Sequence, residues 1–276
     1  MSAQPDLPLR PMTLGELLDA AMTLLRARAL PLLATAFVLA GLEQAVLVPL
    51  RGFAQVSAPL YLPEDGHFGA WWTLVSAGFG IEGFIICVLG ALAAAAAGPA
   101  LVGQSVRDRE LWTRMRPIST LVTAIVLGTI CGIAAFAGFV GWIFAYGLFG
   151  LVSGVIVIDR AGPSFVRAAR LASRGGLRGV WTRLAAYLTW LAVRVVLGAG
   201  WVAAFDLFTG GGLPDWSSWA APIAWTLANT VAYAALGCVD AVLVLETRIR
   251  TEGLDIAVSR ARSRGEDPAV ALVWAP

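Results

Sequence analysis

Six long apolar runs constrain this chain more than anything else in it. They cover residues 30–50, 71–97, 118–138, 141–159, 181–207 and 220–246. A helix needs about 20 predominantly apolar residues to cross the hydrocarbon core of a bilayer, and each run meets or approaches that length. The chain is 58% hydrophobic and 14% charged, against about 25% charged in an ordinary soluble domain, and its mean hydropathy is +0.77. No soluble core absorbs that much apolar sequence. The expected fold is all-α: a polytopic integral membrane bundle of six transmembrane helices, forming a single membrane domain over 1–276. Prolines mark several run boundaries, at Pro31, Pro49, Pro99, Pro117 and Pro222. Only GFVG at 138–141 separates runs three and four, so a tight hairpin turn is required there.

An even number of spans leaves both termini on one side, and arginine decides which side. All 20 basic residues are arginine. Eighteen of them fall in the N-terminal segment, residues 98–117, residues 160–183 and the tail 247–276. Arg51 stands alone on the opposite side and Arg194 lies within span five. The positive-inside rule then places both termini in the cytoplasm. Arginine without lysine, beside abundant Ala, Gly and Val, points to a GC-rich bacterial genome and hence to a bacterial cytoplasmic membrane. The first apolar run follows an amphipathic segment containing Glu16, Asp19, Arg26 and Arg28, unlike a secretory signal. Insertion through uncleaved spans is expected.

Residues 159–183, DRAGPSFVRAARLASRGGLRGVWTR, hold six arginines between two apolar runs. At 100° per residue Arg167, Arg170, Arg174 and Arg178 share a narrow arc, and Phe165, Ala168, Ala169 and Ala172 project from the other side. That pattern predicts a helix over 163–175 lying in the membrane interface, its arginines on anionic headgroups. Gly175-Gly176 is expected to break it. A net charge of +2 and a stripe held against the membrane exclude nucleic acid as a partner. Trp71, Trp72, Trp142, Trp216 and Trp219 fall near the expected outer ends of spans, and Trp112 and Trp181 near the inner ends, the level that tryptophan favours.

TLGE at 13–16 is a capping box. Leu14, Leu17, Leu18, Ala21, Leu24 and Leu25 follow at helical spacing, so a second interfacial helix is expected over 13–28. Residues 99–116 and 163–178 likewise precede hairpins, which gives three copies of one unit, an interfacial helix followed by a transmembrane hairpin. GTICG at 128–132, GLVSG at 150–154 and ALAAAAA at 91–97 supply small residues for close packing of helices within the chain.

Three stretches, LRPMTLGELLDAAMTLLRARALPLL at 9–33, VIDRAGPSFVRAARLASRGG at 157–176 and LETRIRTEGLDIAVSRAR at 245–262, resemble a family of bacterial, especially actinobacterial, six-span membrane proteins. That family is similar to the membrane domain of some glycerophosphoryl diester phosphodiesterases. The resemblance implies a helical integral membrane protein. It carries no catalytic residue across, because the catalytic part of those enzymes is a separate soluble barrel.

The tail has its own physical sense. Arg248 and Arg250 suit the negative C-terminal end of a helix, Gly253 ends that helix, and Glu252 and Asp255 are placed to pair with arginines of other segments as a clasp. Cys87, Cys131 and Cys238 lie inside apolar runs and read as small buried residues. His67 has no histidine partner, and Glu64, Asp65 and His67 read as a solvated loop. No metal site, cofactor site or catalytic constellation is apparent, so a non-enzymatic protein is expected.

Charges inside a bilayer are expensive and mark function by default. Glu43, Glu82, Arg194 and Asp240 lie in spans one, two, five and six. They are expected to form one polar cluster, with the arginine shared between the two glutamates and Asp240 closer to the cytoplasm. Two functions follow. The first is a scaffold or accessory subunit of a bacterial envelope system, with membrane lipids and a membrane-protein partner or second copy as its partners. The second is a transporter or lipid-handling protein built around the buried charges. A continuous polar cavity reaching Glu43, Glu82 and Arg194 separates the two.

Overall fold

The computed structural model describes residues 7–58, 60–63, 65–161, 164–209 and 217–274, with the backbone alone at Phe205, Ser217 and Ser218. Glu64, Pro163 and Trp216 of the expectations above lie outside the described residues. Every described element is helical. The elements are α1 (Leu14–Ala27), α2 (Ala29–Ala54), α3 (Phe68–Leu101), α4 (Asp108–Arg114), α5 (Pro117–Ala137), α6 (Phe139–Phe149), α7 (Val152–Gly154) with a π-helical turn (Val155–Asp159), α8 (Ser164–Thr209), α9 (Ser217–Glu252), α10 (Leu254–Ser263) and a closing 3-10 turn (Pro268–Leu272). Among the described residues, six helical stretches are long and apolar enough to cross a membrane. The protein is an all-α, multi-pass integral membrane protein.

Two spans, α3 and α9, are the most enclosed, and the stretch Phe139–Asp159 follows at 72% buried. The most apolar window of α3 is 83% buried and that of α9 is 89% buried, against 33% for α2 and α5 and 24% for α8. Small side chains decide this. The ALAAAAA run of α3 is buried throughout, and its thin surface lets neighbours approach closely. The outer helices keep large apolar side chains exposed, among them Phe37, Ile118, Ile133, Val196 and Trp201, as a lipid-facing surface demands. Where α3 crosses α5, GTICG faces Gly80, and a Cβ added to Gly128 would stand 2.7 Å from the Gly80 carbonyl oxygen. This is the close intrachain packing expected of that motif.

Local signals hold well. Gly138 carries φ +137°, ends α5 and starts α6, so GFVG makes the tight hairpin turn. Arg174 leaves helical geometry, and Gly175, Gly176 and Leu177 have positive φ. They divide α8 into an arm over 164–173 and a span over 178–209. Thr13 caps α1: its hydroxyl accepts from the Glu16 N–H, and its own N–H donates to Glu16 Oε2 at 2.8 Å. The Arg10 guanidinium, 2.6 Å away, and these Thr13 contacts hold the Glu16 carboxyl down to about 2.

A short helix precedes each hairpin three times: α1 before α2 and α3, α4 before α5 and α6, and the 164–173 arm before the α8 span and α9. The first short helix does not leave its apolar face for lipid. Leu17 and Leu24 are fully buried, because α1 packs on α9 and α3. Arg28, at the α1–α2 junction, donates to Asp108 Oδ1 at 2.6 Å and to the Val106 carbonyl at 2.7 Å. Trp142, in the first turn of α6, is buried in the bundle and stacked on Tyr146 with ring centroids 5.1 Å apart. Trp112, Trp181 and Trp219 are exposed.

Candidate functional site

Arg183, Tyr187 and Arg194 recur at i, i+4 and i+11 along α8, one helical face. Asn229, Tyr233 and Asp240 recur at the same spacing along α9. The two helices run antiparallel and turn these polar stripes toward each other, so two polar centres form about 16 Å apart along α8 at 1.5 Å per residue.

The first centre is a buried pair. Arg183 donates from Nε to Asp240 Oδ1 at 2.6 Å and from Nη2 to Oδ2 at 2.8 Å. Its Nη1 donates to the Tyr146 carbonyl, and its guanidinium carbon lies 3.9 Å from the Tyr146 ring centroid. Both charged side chains are at most 2% exposed. Every guanidinium nitrogen is engaged, which is the condition under which a buried charge is tolerated.

The second centre lies deeper in the span. Arg194 Nη1 donates to Glu82 Oε1 at 2.8 Å. Tyr187 OH donates to Glu82 Oε2 at 3.0 Å and accepts from Arg194 Nη2 at 3.0 Å. Glu43 is held differently, by Tyr233 OH at 2.8 Å and Asn229 Nδ2 at 2.9 Å. Both are neutral donors. Glu43 forms no ion pair among the described residues.

A cavity of about 230 Å³ between α2, α3, α8 and α9 reaches Glu43, Glu82 and Arg194. Arg51 and Tyr61 stand at its other end. Eight residues of α2 separate Glu43 from Arg51, about 12 Å of helix. Arg51 donates to Gln44 Oε1 at 2.8 Å and lies 4.0 Å from the Tyr61 ring centroid. Three buried polar atoms on residues lining the cavity lack a hydrogen-bond partner: Arg194 Nε, Trp225 Nε1 and Asn229 Oδ1.

The expected four-residue cluster is thus divided. Glu82 and Arg194 pair as expected. Glu43 shares the cavity with them but takes Tyr233 and Asn229 in place of the arginine. Asp240 belongs to the other centre with Arg183, which the arginine count assigned to a connecting segment and which is 1% exposed. Tyr187, Asn229 and Tyr233 are functional-site residues that charge and hydropathy alone do not single out, and Arg183 is one that the arginine count places outside the bundle. The repeated i, i+4, i+11 spacing on two consecutive spans was the signal that finds them.

The arginine stripe divides: Arg167 turns into protein, Arg178 is half-buried, and Arg170 and Arg174 stay exposed. Arg167 is 3% exposed; its Nε donates to Asp159 Oδ2 at 2.8 Å, and its two terminal nitrogens donate to Glu252 at 2.5 and 2.6 Å. Arg174 donates to Glu252 at 2.5 Å. Arg178 donates to the Met12 carbonyl at 2.8 Å and lies 3.6 Å from Glu246. Arg170 alone of the four is exposed without a charged partner among the described residues. Asp159, Glu246 and Glu252 cluster at this end and draw Arg167, Arg174 and Arg178 to them. Arg248 joins the lattice through Asp159 at 2.8 Å and the Leu272 carbonyl at 2.5 Å. The Trp274 N–H donates to the Asp159 carbonyl at 3.0 Å. The tail is clasped, through Glu252 as expected, while Asp255 makes no ion pair among the described residues.

No protein-family model, curated protein or solved structure matches this chain.

Proposed function

We propose that this protein is a non-enzymatic carrier or lipid-handling protein of a bacterial cytoplasmic membrane, the second of the two functions weighed from the sequence. The observation that carries this reading is the cavity that reaches Glu43, Glu82 and Arg194, with buried polar atoms on its lining residues left for a ligand. Charges that only lock two helices together, as Arg183 and Asp240 do, need no such space. With the arginine-rich end in the cytoplasm, Arg51 and Tyr61 mark the outer end of the cavity. The resemblance to phosphodiesterase membrane domains is kept within this proposal, as a membrane unit without its own catalysis. The accessory-subunit reading retains one support, the exposed Arg260, Arg262 and Arg264 at and just beyond α10, which offer a basic surface to a partner or to anionic lipid.

Gly78 supplies the test. It lines the cavity, and a Cβ there meets nothing within 4 Å, so Gly78→Phe fills the space without a backbone clash. Native mass spectrometry on protein released in mild detergent is expected to show a retained lipid or small molecule in the wild type and its loss in Gly78→Phe. A stoichiometric protein companion with no such ligand, or a ligand indifferent to Gly78→Phe, sinks the carrier reading.

A further inference from the structure

We infer that the cavity binds a small lipophilic amine, with its ammonium group held by Glu43 and the Asn229 side-chain oxygen. This rests on the reading of the cavity as a ligand site and adds the class of ligand. Charge comes first. Glu82 has its cation in Arg194, 2.8 Å away, whereas Glu43 has only the neutral Tyr233 and Asn229. A buried carboxylate without a counter-charge is costly, and a cationic ligand supplies the missing charge.

Hydrogen-bond capacity points the same way. Asn229 Nδ2 is committed to Glu43, which fixes the amide orientation and leaves Oδ1 as a buried acceptor with no donor. Glu43 and Asn229 are only 3% and 4% exposed. An ammonium carries three N–H donors and no acceptor, which matches two carboxylate oxygens and an amide oxygen. The walls suit the rest of such a molecule. Tyr61, Phe79, Tyr187, Trp225 and Tyr233 bring aromatic rings to the cavity, and ring faces attract cations.

Arg51 and Arg194 carry like charge to the ligand. Each is already engaged, Arg51 with Gln44 and the Tyr61 ring and Arg194 with Glu82. The two unfilled donors, Arg194 Nε and Trp225 Nε1, suit an oxygen on the same ligand. At about 230 Å³ the space is below that of sites for drug-sized molecules, so the chain carried by the amine is short.

Equilibrium dialysis of the full-length protein in detergent at neutral pH compares three probes of one length: hexylammonium, 1-hexanol and hexanoate. Hexylammonium is expected to bind tighter than either by about ten-fold or more, the worth of a charged hydrogen bond. Glu43→Gln is expected to erase that preference, with hexylammonium binding no tighter than hexanol. Should Glu43→Gln aggregate, Asn229→Leu is read instead, with hexylammonium weakened and hexanol retained. If the three probes bind alike, or if hexylammonium affinity survives in the folded variant, the amine assignment is overturned and the cavity remains a ligand site. If none of the three binds, both the amine assignment and the carrier reading fall.

Discussion

Two buried arginines on one face of α8 meet different fates. Arg183 and its Asp240 are sealed, with every guanidinium nitrogen bonded and the Tyr146 ring beneath. Arg194 keeps its carboxylate but leaves Nε unpaired, and it stands on a cavity wall beside a second acid that lacks a cation. Both pairs bridge helices. Only one leaves unfilled polar atoms and an adjoining space. A completed buried pair fixes geometry; an incomplete one beside a cavity is chemistry waiting for a partner. The arginine-rich end holds a second closed set of charges, the Asp159–Arg167–Glu252–Arg248 network.

Three substitutions press on that contrast. The largest effect is expected at Asp240→Ala, which strands Arg183 inside the bundle. Breaking one partner of a buried pair costs about 3–5 kcal/mol, and the loss is read as a fall in thermal unfolding temperature and in monodisperse yield. A yield equal to wild type would show that the sealed centre contributes nothing. Arg194→Leu comes next, at about 1–3 kcal/mol, since Glu82 keeps Tyr187 and borders the cavity. Reduced but detectable expression is expected, read with a fall in thermal unfolding temperature; a yield and an unfolding temperature equal to wild type would make the Arg194–Glu82 pair incidental. The smallest is Glu252→Gln, at about 1 kcal/mol for a partly exposed pair. It is expected to speed proteolysis of the tail beyond Gly253 and to leave ligand retention alone. A tail as resistant as wild type would mean that the clasp is held by Asp159 and Arg248 without Glu252.

The architecture was legible for a plain reason. Apolar length, the turn glycine at Gly138, the Thr13–Glu16 cap and the break at Gly175-Gly176 are local properties, each carried by a few consecutive residues. The candidate site was legible only in part. Counting residues along a span estimates depth, so Glu43, Glu82 and Arg194 were correctly grouped, and Asp240 was correctly placed nearer the arginine-rich end. Depth says nothing of direction around the helix axis. Depth alone therefore joins Asp240 to the wrong centre, and the arginine count puts Arg183 in the 160–183 connection when it lies inside the bundle. The arc of the arginine stripe over 163–178 is a local property, but which of its arginines meet Glu246 and Glu252 is not, because those carboxylates are distant in the chain.

By itself the sequence determined that this chain crosses a membrane six times as helices, where most of those helices begin and end, and which end of the bundle is basic, because hydrophobic length, backbone geometry and charge count need no partner to act. The tertiary structure decided which acid each buried arginine takes, that the leucine face of α1 is spent on α9 and α3, and that a cavity opens beside Glu43, because each of these depends on how far and at what angle two separate helices approach.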